Sequence, residues 1–189
     1  MFKKAQADQM RSIIRETLKM LGDEFYSEGM VELIFATGIA ESNYDFLEQV
    51  GGGPAKSFFQ IESGNDRRTF EDCFINYLHY KPQLLKKVLI IAGETKIFEY
   101  LQNKKDYTEK NFLEDFIKQS VFKEYESHLL YNISFAVAIA AILYIRRKVN
   151  INDLDSLDKL AVVWKEKYNT KYGSGTIDGF KTKYNIFFK

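Results

Sequence analysis

ATGIAESNYDFLEQVGGGPAKSFFQIE, residues 36–62, is the stretch on which the reading of this chain turns. It opens on the small residues Ala36, Thr37, Gly38 and Ala40, which follow the apolar run Met30, Val31, Leu33, Ile34 and Phe35. This pattern predicts a helix that starts near Ser27 or Glu28 and lets another backbone or a ligand come close at its far end. The middle of the stretch, GGGPAKS at residues 51–57, cannot continue a helix. Consecutive glycines are entropically costly there, and Pro54 disfavours helical backbone at the residue before it. SFFQIE then supplies aromatic and branched residues suited to a strand, so a small hairpin is expected between Asp45 and Glu62.

Glu41 stands at the junction of the helix and this glycine-rich loop, ahead of the polar Ser42 and Asn43. By position alone it reads first as a helix-terminal carboxylate in water, with a partly desolvated acid as the alternative. Desolvation would raise its pKa and keep a proton available near neutrality, which is what a general acid needs.

Outward from this centre the chain reads as helical. Met10, Ile13, Ile14, Leu18 and Leu21 recur at three- and four-residue steps and predict a helix over residues 6–21. Further helices are expected at about residues 68–80, 83–91, 95–102, 108–119, 124–148, 154–168 and 176–184. Residues 132–145 are apolar almost all round, the mark of a helix enclosed by others. The stretch LLYNISFAVAIAAILYI, residues 129–145, is also the one membrane candidate, but it contains Asn132 and Ser134 and is at the short end for a span. It is read as a buried core helix, and no stable membrane span is expected. The fold class is therefore mainly α (α+β), with a small glycine-rich β-hairpin. The 189 residues are expected to form a single domain, with 62–127 as a helical insertion or lobe.

Composition narrows the partners. The 46% hydrophobic content excludes intrinsic disorder, and 27 basic against 26 acidic residues leave no global field to attract nucleic acid. The single cysteine, Cys73, excludes an internal disulfide framework, and His79 and His128 lack zinc-type spacing. No metal and no cofactor are expected. MFKKAQADQMRSII at the start lacks the apolar stretch and small-residue cleavage site of a secretory signal, so export by the general pathway is not expected.

Residues 36–62 resemble the catalytic core of peptidoglycan lytic transglycosylases and the related goose-type lysozymes. In that family a helix ends in Glu-Ser and a later loop ends in a Gly-Leu-Met-Gln-Ile type segment. Glu41-Ser42 matches the first part and Phe59-Gln60-Ile61 the end of the second, 19 residues from Glu41 to Gln60. Phage-encoded members are closer still: Gly51, Gly52, Gly53, Pro54 and Ala55 precede Gln60-Ile61-Glu62 as in their Gly-Gly-Gly-Pro-Ala element. YNISFAVAIAAILYIRRK looks like their buried helix. WKEKYNTKYGSGTIDGF, residues 164–180, looks like their Trp-Lys, Tyr-Asn-Thr and Gly-x-Gly-Thr pattern. The likeness runs through most of the chain from Ala36 onward, with the first helix and the segment between Glu62 and Ser127 largely outside it. One departure is Ser57, where the family has a glycine that permits close backbone approach or an unusual dihedral. With Phe58 it would narrow the cleft.

The resemblance implies a lysozyme-like fold and Glu41 as the catalytic acid/base carboxyl, acting on the β-1,4 bond between N-acetylmuramic acid and N-acetylglucosamine. Glu41 would protonate the glycosidic oxygen and then take the proton of the muramic 6-hydroxyl, giving a 1,6-anhydro product. Asp45, Glu48 and Glu62 are available as a second carboxylate for hydrolysis, or are solvated surface charges. Substrate contacts are assigned to Ser42, Gln60, Gly52, Gly53, Ser57, Phe59, Tyr131 and Tyr144. Each has a structural alternative: Ser42 caps the helix end, Gln60 ties the hairpin to the helix, and Tyr131 and Tyr144 pack in the core. Trp164 and Tyr168, one helical turn apart, read as packing residues, with Asn169 and Gly173 ending their helix. The implied partners are peptidoglycan glycan strands and other virion proteins, with no nucleic acid. The implied setting is a phage virion or the host cytoplasm, with action on the cell wall in the periplasm. The competing reading is a non-catalytic virion or tail protein on the same fold, and Ser57 is the residue that favours it.

Overall fold

The structure is a computed structural model, and it describes residues 4–64, 69–94, 111, 115–116, 121–171 and 173–187. The helix expected at residues 95–102, and most of the one at 108–119, lie outside the described residues. The chain is mainly helical, with one small antiparallel hairpin.

Helix α1 (Lys4–Leu21) and helix α2 (Glu28–Ser42) pack side by side. The Arg11 guanidinium joins them by donating to both Glu32 carboxylate oxygens at 2.7 Å. Ser27 starts α2: its hydroxyl accepts the Met30 N–H at 3.0 Å and donates to the Ile151 carbonyl at 2.7 Å. Such an N-cap is worth about 1 kcal/mol. The far half of α2 has no polar face, and every residue from Leu33 to Ala40 is buried. α2 is therefore a core helix, and its small residues are explained by what lies over them. A Cβ on Gly38 would sit 2.3 Å from the Tyr44 ring, which folds back over the helix and donates its hydroxyl to the Phe35 carbonyl at 3.1 Å.

Strands β1 (Ala55–Lys56) and β2 (Ile61–Glu62) form the hairpin, with Ala55 opposite Glu62 and Lys56 opposite Ile61. Glu48 adds an isolated bridge to Lys56. Helix α3 (Thr69–Asn76), a 3-10 turn at Leu78–Tyr80 and helix α4 (Pro82–Ala92) follow. The described part of the proposed 62–127 lobe packs on α1 and on the central helix and shares their core.

The continuous helix expected over 124–148 is broken. A 3-10 segment (Val121–Ser127) and the short helix α5 (His128–Tyr131) precede α6 (Ile133–Arg146), with a bend of 113° between them. The break is at Asn132, whose backbone is extended. Its side-chain carbonyl accepts the Phe135 N–H at 2.9 Å and its amide donates to the Ile91 carbonyl at 3.0 Å. An Asn side chain competes with backbone hydrogen bonds in this way at a helix start. Every residue of α6 from Phe135 to Tyr144 is buried. Among the described residues no single helix is long and apolar enough to cross a membrane; the bent pair passes by length and composition only.

The C-terminal part also departs from the expected boundaries. Helix α7 runs over Leu157–Trp164, capped by Ser156, and continues as a π-helical turn over Lys165–Asn169 rather than as α-helix to residue 168. Helix α8 (Ile177–Phe187) closes against α2 and α7.

Gly38→Ala tests the packing at the end of α2. Alanine gains about 1 kcal/mol in helix propensity, but its methyl would overlap the Tyr44 ring, and overpacking of this kind costs about 1–3 kcal/mol. Urea denaturation should show a net loss of stability; a gain would mean that Tyr44 yields freely.

Candidate functional site

The C-terminal end of α2, the hairpin, the end of α6 and the π turn enclose a cleft of about 650 Å³. Glu41 is on its wall, in the last turn of α2. The Trp164 indole N–H donates to Glu41 Oε1 at 2.9 Å. Oε2 has no partner among the described residues and is not sealed from solvent, so it is the oxygen available to the cleft. Burial raises the Glu41 pKa above the ordinary carboxylate value; the Trp164 hydrogen bond and the Lys183 charge oppose that shift without cancelling it. Lys183 is held nearby by donating to the Ala40 carbonyl.

Trp164 is itself fixed. Its ring packs against Phe180 at a tilt of 35° with centroids 5.0 Å apart, and a Cβ on Gly175 would meet the indole at 2.4 Å. Phe180 of α8 and the bare Cα of Gly175 therefore hold the ring in place, which keeps the indole N–H aimed at Glu41. Four residues on, Tyr168 lines the cleft and donates its hydroxyl to the Phe59 carbonyl at 2.8 Å. Its ring lies 5.2 Å from that of Tyr144.

Of the residues assigned to substrate, Gln60 joins Glu41 on the cleft wall. Its amide donates to the Ser57 carbonyl at 2.9 Å, so part of its hydrogen-bonding capacity closes the turn. The others lie elsewhere. Ser42 is buried; its hydroxyl donates to the Phe58 carbonyl at 2.8 Å and accepts the Tyr44 N–H at 3.1 Å, tying the helix end to the hairpin. Phe59 is in the core because the hairpin turns its ring inward against Tyr44. Tyr144 is fully buried, and its hydroxyl donates to Thr37 Oγ1 at 2.7 Å, since the Thr37 hydroxyl proton is given to Leu33. Tyr131 is 66% exposed on α5, away from the cleft-lining residues. Gly52 and Gly53 form the exposed tip of the loop, Gly52 at φ +81°, while Gln49 and Val50 beside them line the cleft.

Ser57 is buried and does not narrow the cleft. Its backbone is left-handed, φ +66°, the conformation glycine adopts without penalty, and its hydroxyl offsets the strain by accepting the Phe59 N–H at 3.2 Å. Asp45 and Glu48 do not line the cleft, whereas the exposed Glu62 does. Among the cleft residues to which sequence reasoning gave no site role are Phe46, Arg147, Thr170 and Tyr168, the last read as packing, together with Trp164 behind Glu41. A lone tryptophan where an apolar run meets a charged one, and basic residues at the end of an apolar helix, were the available signals. Among the described residues no group of three His, Cys, Asp or Glu side chains could hold a metal ion.

Neither family models nor curated proteins nor solved structures give a match to this chain.

The raised Glu41 pKa has a consequence for stability. The folded chain holds this proton more tightly than the unfolded chain, so the stabilisation is fully present below the unfolded carboxylate pKa, about 4.3. It is lost as pH rises through the folded value, above which the buried carboxylate is unfavourable. Glu41→Gln is neutral at every pH and should therefore gain stability relative to wild type between pH 4 and pH 7. Denaturation midpoints at the two pH values check this; a difference that stays constant or shrinks contradicts it.

Proposed function

We propose that this chain is a phage-associated peptidoglycan lytic transglycosylase with a lysozyme-like fold, and that Glu41 is its catalytic acid/base. The observation that carries the reading is Glu41 itself: a desolvated carboxyl at the end of a buried helix, with one oxygen held by Trp164 and the other open to a cleft walled by the hairpin. A pKa raised by burial favours the protonated form that a general acid needs, and fixing one oxygen orients the other toward a bound bond.

In this mechanism Glu41 Oε2 donates its proton to the glycosidic oxygen as the bond to the muramic C1 breaks. The resulting carboxylate takes the proton of the muramic 6-hydroxyl while that oxygen bonds to C1. Glu41 ends protonated, as it began, and the glycan ends in a 1,6-anhydro ring. One carboxyl serves both steps, so no second carboxylate at the spacing of a two-carboxyl glycosidase is needed. Gln60 and Tyr168 line the cleft and suit sugar hydroxyls and ring faces. The protein would act on the cell wall in the periplasm, from the virion or after release from the host cytoplasm, with other virion proteins as partners of the first route.

Purified protein on peptidoglycan, with products resolved by mass spectrometry, tests the reading. Anhydro-muropeptides are expected, and Glu41→Gln should lower their rate of release by roughly a hundredfold or more without loss of fold. Reducing-end products would make the enzyme a hydrolase. No products from wild type would favour a non-catalytic virion protein.

A further inference from the structure

Arg147 is the only basic residue among the described residues that line the cleft. It stands at the C-cap of α6, and one end of its guanidinium donates to the Lys167 carbonyl in the π turn. That contact directs the group across to the neighbouring turn rather than back onto the carbonyls of its own helix. No carboxylate among the described residues lies within ion-pair distance of it, although Glu41 and Glu62 line the same cleft. Two other basic side chains beside the cleft are engaged: Lys165 donates to Asn169 and to the Gly173 carbonyl, and Lys56 pairs with Glu126 at 2.8 Å.

A guanidinium that is anchored at one end and not neutralised keeps several N–H donors in a planar fork, the geometry that matches a carboxylate with two parallel bonds. It is already positioned, so little rotamer entropy is lost when an anion arrives. A cation placed only to face the negative end of α6 would need no cleft beside it.

We propose that Arg147 recognises a carboxylate carried by the glycan and so selects muramic strands over neutral glycans. This assignment rests on the glycan reading of the cleft. Two sources share the chemistry: the carboxylates of a stem peptide, and the lactyl carboxylate that is exposed when the stem is removed.

Binding is measured by calorimetry on the Glu41→Gln background, where the ligands stay intact, with and without Arg147→Met. Three probes are compared: stem-bearing strands, strands stripped of their stems, and chitooligosaccharide, which has no carboxylate. Loss of a charge-assisted pair corresponds to roughly tenfold or more in affinity. Arg147→Met should weaken at least one carboxylate-bearing probe by that factor and leave chitooligosaccharide within about twofold. Whichever of the two weakens identifies the source. Arg147→Lys keeps the charge without the fork and should recover part of the loss, a recovery that a purely structural role would not give. Equal weakening of all three probes, or weakening of none, overturns the assignment and leaves the glycan reading intact. Failure of all three to bind when Arg147 is present overturns the glycan reading and the assignment with it.

Discussion

The hydrogen bond from the Trp164 indole to Glu41 is the interaction on which the site depends. It joins the end of α2 to the end of α7, elements 123 residues apart in sequence, and does so at a carboxyl that burial would otherwise leave with little to hold it. The indole can serve because its other faces are fixed by Phe180 and by the absence of a side chain at Gly175. A donor that cannot ionise suits this position. It orients the carboxyl and opposes the burial-induced rise in pKa without cancelling it.

Three further hydrogen bonds hold the cleft walls in register with that carboxyl. Ser42 ties the helix end to the Phe58 carbonyl, Tyr168 ties the π turn to the Phe59 carbonyl, and Tyr144 ties α6 to Thr37 of α2. Each is a side chain from one wall bonded to another, so the hairpin is fixed to the helices even though its ladder is only a few residues long. A short hairpin is marginal alone and needs such packing. The aromatic rings that make these bonds are also core residues, which couples the geometry of the site to the stability of the fold.

Much of the helical layout was legible in the sequence because apolar spacing reports burial directly. The largely apolar run at residues 30–40, interrupted by Glu32 and Thr37, and the all-apolar run at 135–144 became the two most enclosed helices. The place of Glu41 at the end of that buried helix was legible for the same reason, while its reading as an acid came from the Glu-Ser and Gln-Ile motifs around it. The break at Asn132 was not, since an asparagine inside an apolar run looks like an isolated polar exception until its amide is seen bonded to Ile91. Nor was the division of labour in the loop. Ser42, Ser57 and Phe59 belong to motifs near Glu41, yet all three face inward, and the adjacent Gln60 faces the cleft. Spacing places residues near a site, while the positive φ angles at Ser57 and Gln60 decide which of them enter it. Trp164 and Arg147 could be placed only by tertiary structure, because nothing local relates them to residue 41.

Titration of Glu41 itself tests most directly whether it is a desolvated carboxyl restrained by Trp164. Carbon-13 NMR of the Glu41 carboxyl should give a midpoint above the ordinary glutamate value of about 4.3 and a further rise in Trp164→Phe, because the opposing hydrogen bond is then gone. A wild-type midpoint at or below the ordinary value, or a fall in Trp164→Phe, would contradict the account.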